Sequence, residues 1–112
     1  MNFYDKVHEL VRALKDSDEY KNYIELKEKL KKDEKNYEML KNFKKKQEEH
    51  QLNYINGKEM TEEEQKNMQN LYSIIIQNDN IRKLLECEMK LNVMLADMNK
   101  IVGDGLKEII EF

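Results

Sequence analysis

Apolar residues in this chain recur at helical intervals and nowhere in the alternation of a strand. Phe3, Val7, Leu10, Val11 and Leu14 follow i, i+4, i+7, i+8, i+11, one face of an amphipathic helix over about residues 2–15. "KDSDEY" ends it, and Asp16 or Ser17 is placed to cap a second helix running to about Lys32. Tyr20, Tyr23, Ile24 and Leu30 form its inner line, and Glu25/Lys29 and Glu28/Lys32 are favourable i,i+4 pairs on its outside. Asp33 is the expected cap of a third helix reaching Ile55, with an inner line of Leu40, Phe43, Gln47, His50 and Tyr54 that turns polar halfway. In "NYINGKEMTEEE", Gly57 suits a left-handed helix end, and Thr61 with Glu64 reads as a capping box for a fourth helix from Glu62. Met68, Leu71, Tyr72 and Ile75 face inward on that helix. Since its first half is as polar as the end of its predecessor, helices three and four are expected to form an antiparallel hairpin over about 34–77. Its tip, near 55–61, would project into solvent while its base joins the core.

The last long helix has more apolar surface than one neighbour can cover. After a weaker break at "QNDN", where Asp79 is the candidate cap and a kinked continuous helix the alternative, "LLECEMKLNVMLADMNKIV" places two stripes on the helix. Leu84, Cys87, Leu91, Met94, Met98 and Ile101, with Leu95 and Val102, form the candidate core seam. Leu85, Met89, Val93 and Ala96 form a second stripe on roughly the opposite side, the candidate oligomer interface. Two coverings of this second stripe are open: helix one or two of the same chain, or a partner subunit that the small Ala96 lets approach closely. "GDGL" should end the helix, because glycine costs about 1 kcal/mol in a helix interior. A short amphipathic tail follows, with Leu106, Ile109, Ile110 and Phe112.

Composition agrees with this and narrows the class. The 112 residues suit one domain, 1–112. Hydrophobic residues make up 39% and charged ones 38%, with a mean hydropathy of -0.95. That is lean for a compact sphere but adequate for long helices with wide solvated faces. The absence of proline and the scarcity of glycine favour helix throughout. The expectation is an all-α fold: an elongated bundle of about five helices with a protruding antiparallel hairpin and no β-sheet. A net charge of -3 gives no long-range attraction to nucleic acid or anionic lipid, and the basic run Lys44–Lys46 is followed at once by Glu48 and Glu49. No apolar stretch approaches a membrane span, and the N-terminus lacks the apolar core of a signal peptide, so a cytoplasmic protein is expected.

Candidate chemistry changes the picture little. His8 and His50 lack the i+4 partner of a helical metal site, and the single cysteine, Cys87, lies among apolar neighbours with no base beside it. Carboxylates are mostly matched by lysines one turn away. There is no glycine-rich phosphate loop and no Glu-x-x-His pair of the kind that builds di-metal bundles. No catalytic residue, metal site or cofactor is expected. The methionines at 39, 60, 68, 89, 94 and 98 read first as core filler, second as an adaptable binding surface.

Four segments carry a resemblance to a known family: "NFYDKVHELVRALKDSDEYKNY", "KKDEKNYEMLKNFKKKQEEHQ", "NGKEMTEEE" and "MLADMNKIVGDGLKEI". In this order, through nearly the whole chain, they resemble the Com_YlbF family of small helical bacterial proteins, and within it the YheA-like branch. The resemblance implies an all-helical fold with a protruding hairpin, usually a dimer, and no enzyme. Characterised members act with other proteins in competence, sporulation, biofilm formation and RNase Y-dependent RNA processing. Some of them carry C-terminal cysteines linked to iron–sulfur clusters; Cys87 alone does not supply that ligand set. The expected function is that of a non-catalytic adaptor or regulator, a homodimer that also meets other regulatory proteins of the same family. Tyr54, Asn56, Gly57 and Met60 form its candidate docking turn. A small-molecule or metal sensor and a prefoldin-like holdase are the alternatives.

Overall fold

The computed structural model describes residues 2–111, with Ile110 described by its backbone alone; Phe112 and the Ile110 side chain, expected in the tail, lie outside the description. Its elements are α1 (Phe3–Lys15), α2 (Asp18–Lys31), α3 (Glu34–Ile55), α4 (Glu62–Ile75), α5 (Asp79–Gly105) and the single turn α6 (Lys107–Ile110). No strand occurs among the described residues. The fold is all-α, with five substantial helices and one short one.

Each boundary has a local cause. Asn2 accepts from the Tyr4 N–H at 2.8 Å and starts α1. Ser17, not Asp16, caps α2: its hydroxyl oxygen accepts from the Tyr20 N–H at 3.2 Å and its own proton goes to the Leu14 carbonyl at 2.6 Å. Asp33 opens α3, accepting from the Asn36 backbone and, more closely, from its side-chain amide at 2.7 Å. α3 stops in a Schellman motif. Gly57 takes φ 83°, its N–H donates to the Tyr54 carbonyl, and the Lys58 N–H donates to that of Asn53. Thr61 and Glu64 then exchange two hydrogen bonds in the expected capping box, at 3.1 and 3.3 Å.

Three expectations are corrected. α5 is capped by Asn78, whose side chain accepts from the Ile81 N–H at 3.0 Å; Asp79 is already helical and pairs with Arg82 at 2.9 Å. The turn at 76–78 separates α4 from α5, so the two are not one kinked helix. Glu28 pairs with Lys31 at 3.2 Å instead of Lys32, because α2 ends at Lys31 and the following residue leaves the helical register. At the other end of α5, Gly103 and Gly105 both lie inside the last turn and Leu106 leaves it.

The chain forms two compact units: Leu26–Leu84, and, of the described residues, 2–25 with 85–111. The first of these holds the core. Leu30 from the end of α2, Leu40 and Phe43 from the first half of α3, Ile75 from the end of α4, and Ile81 and Leu84 from the start of α5 are all buried. Phe43 and Tyr72 bring their rings to 5.9 Å across α3 and α4. The two helices run antiparallel, joined through residues 56–61. The core belongs to the base of this hairpin; beyond Phe43 on α3 and before Ile75 on α4 no residue is buried.

Candidate functional site

In the unit of residues 2–25 and 85–111, none of the described side chains is buried. α1 has the clean amphipathic pattern expected of it, yet none of its side chains is buried. Val7, Leu10, Val11 and Leu14 face Met94, Leu95 and Met98 of α5 across an apolar groove of about 430 Å³. The candidate core seam is therefore graded. Leu84 is buried, Cys87, Leu91, Met94 and Met98 are half-buried, and Ile101 is 71% exposed. The second stripe stands open. Leu85 is half-buried, but Met89 is 68% and Val93 56% exposed, and Ala96 is exposed. α1 thus lies along the first stripe and leaves the second uncovered.

The hairpin in the other unit carries a larger feature. Where the inner lines of α3 and α4 turn polar, the helices leave an open groove of about 1060 Å³ between them. Phe43 and Tyr72 close it at the base, and Tyr54 and Met60 border it near the tip. Tyr54 is 69% exposed, Asn56 and Gly57 are exposed and Met60 is half-buried. Of the candidate docking turn, Tyr54 and Met60 line the groove while Asn56 and Gly57 shape the turn that ends it. Gln47, Gln51, Gln65 and Gln69 also line it. Gln47 stood on the expected inner line of α3; Gln51, Gln65 and Gln69 were not picked out from the sequence, although the i,i+4 spacing on each helix was a usable signal.

A polar contact joins the two helices beside the groove. His50 Nδ1 lies 3.4 Å from Glu64 Oε2, while the other Glu64 oxygen accepts from the Thr61 N–H. The Thr61 backbone N–H and then its hydroxyl hold the Glu64 carboxyl below the usual carboxylate range, with His50 and Lys58 adding smaller attractions against a small opposing effect of burial. His50, on the expected inner line of α3, is a half-buried cross-helix contact. Among the described residues, no three His, Cys, Asp or Glu side chains come together to hold a metal ion. No described helix is long and apolar enough to cross a membrane.

Comparison with known proteins adds a lineage to this geometry. The chain is similar to a UPF0342 protein of Caldicellulosiruptor bescii, 42% identical over 106 residues that span 95% of this chain and 89% of the relative. It is 38% identical to a UPF0342 protein of Symbiobacterium thermophilum over 97% of both chains. A UPF0342 protein of Alkalihalophilus pseudofirmus is also 38% identical, over 96% of this chain and 92% of its own length. No solved structure matches. The family model described as control of competence regulator ComK, YlbF/YmcA, matches residues 3–107. The chain therefore belongs to the Com_YlbF family.

Proposed function

We propose that this chain is a non-catalytic regulatory protein of the bacterial cytoplasm that works through protein–protein contacts and is built as a homodimer. One observation carries the reading: a unit made of the chain's most amphipathic helix and most of its longest one buries none of its described side chains. Apolar side chains left in water on that scale, Val7, Leu10 and Val11 on α1 with Met89 and Val93 on α5, mark an interaction surface. A second copy is the simplest cover, because a two-fold axis presents the same stripe to itself. The family description, control of a competence regulator, supports a regulatory role. In this reading the hairpin remains available to other proteins, including regulatory proteins of the same family.

The test is the mass of the purified chain by light scattering over a dilution series. A dimer that persists to low micromolar concentration is expected. A well-folded monomer at every concentration would overturn the homodimer and leave the stripe for a different protein.

A further inference from the structure

The groove of the α3–α4 hairpin leads to a specific partner chemistry, and the inference rests on the adaptor reading above. Along α3 the groove extends from Phe43 to Ile55, about 18 Å at 1.5 Å per residue. Its apolar floor is Phe43, Tyr54, Met60, Met68 and Tyr72, and its sides are glutamines. In a chain with 38% charged residues, Glu59 and His50 are, among the described residues, the only ionisable side chains other than tyrosine that line it. Neutral amides let a partner settle into the groove without removing water from fixed charge. The walls are helices with no free strand edge, so an extended peptide finds no ladder to join; a third helix packs by ridges into grooves.

Charge around the groove is uneven. Residues 47–66 contain six glutamates and two lysines. Glu48 lies three residues before Gln51 and Glu62 three before Gln65, so each shares the helix face of a groove-lining glutamine, and Glu59 lines the groove directly. At the base end the corresponding position on α3, four residues before Glu48, is Lys44. The tip end is acidic and the base end is not.

We propose that this groove binds an amphipathic α-helix of a partner protein. The helix is about three turns long, the span of the groove. It places apolar residues at i, i+4 and i+7 on the Met68–Tyr72 floor and lysine or arginine at the end lying toward the hairpin tip.

The test uses two labelled peptides of about 14 residues with leucine at helical spacing, one filled in with lysine and one with glutamate, read by fluorescence anisotropy against the whole protein. The lysine peptide should bind saturably, and the glutamate peptide about tenfold more weakly or worse. Met68→Glu, in the floor, and Glu62→Lys, on the rim, should each weaken the lysine peptide about tenfold. Glu25→Lys, the same charge change on an exposed face of α2, should leave it unchanged. Circular dichroism checks the fold of Met68→Glu; should that variant unfold, Glu62→Lys decides alone, since it changes an exposed residue outside the core. Equal binding of both peptides, undiminished binding by the rim variant, or no saturable binding would overturn the proposal. So would a fall in the mass of the assembly on Met68→Glu, which would make a second copy the occupant. An intact dimer that takes neither peptide sinks this inference alone; a monomer that takes the lysine peptide sinks the homodimer alone.

Discussion

Truncating the open stripe of α5 gives the sharpest account of what that stripe is worth. Met89 and Val93 are 68% and 56% exposed within the chain. Burying a whole side chain of this type contributes about 1.5–3 kcal/mol, so covering the exposed shares of both is worth about 2.5 kcal/mol per subunit. A two-fold axis counts the pair twice, about 5 kcal/mol per dimer, and alanine at both positions keeps a small part of it. The variant Met89→Ala/Val93→Ala should then lose about 4 kcal/mol of association, a roughly thousandfold higher dissociation constant. Sedimentation equilibrium over three decades of concentration reads this shift directly. The isolated chain should hardly notice, since exposed substitutions usually stay within about 0.5 kcal/mol. Two results would refute the reasoning: a wild-type and variant mass that agree at every dilution, or a variant that loses helix content, which would mean the stripe is closed inside the chain.

Other expectations follow from the hairpin and its caps. Ile75→Ala should cost about 2–5 kcal/mol in urea unfolding, because the side chain is almost fully buried, 1% exposed, at the base of the hairpin. Thr61→Ala removes one arm of the capping box and should cost about 1 kcal/mol, while Gly57→Ala should cost about 1–2 kcal/mol from the left-handed backbone alone, since open space surrounds that site. Asn78→Ala should destabilise α5 by about 1 kcal/mol and Asp79→Ala by less, a comparison that thermal melts resolve and that reverses if Asp79 is the cap. Glu64 has its carboxyl pKa lowered in the folded chain, so its stabilising effect is fully present above the ordinary glutamate value and fades as pH falls through the lowered one. Glu64→Gln should flatten that acid limb in a pH series of melts, and an unchanged limb would sink the assignment.

How much of this was legible in the sequence depended on the range of the forces involved. The helix ends were readable because their causes lie within a few residues: Thr61 to Glu64, Gly57 to Tyr54, Asp33 to Asn36. The choice between Asp16 and Ser17 and the miss at Asp79 were equally local: Ser17 and Asn78 are the caps because the cap must stand one place outside the first helical residue. Periodicity also placed faces correctly. Leu40, Phe43, Gln47, His50 and Tyr54 do share one side of α3, and that side does meet α4. What periodicity cannot state is whether a face finds a neighbour. Leu40 and Phe43 are buried and Tyr54 is not, although all three stand on the same line, because Phe43 meets Tyr72 of α4 at the base while the hairpin is open and lined with glutamines further along. In the same way the two stripes of α5 were visible as a pattern, but only the tertiary arrangement showed α1 lying along one of them and leaving Met89 and Val93 in water. Local hydrogen bonds and helical pitch are written in the order of residues; burial is a property of two surfaces at once, and the second surface comes from elsewhere in the chain or from another protein.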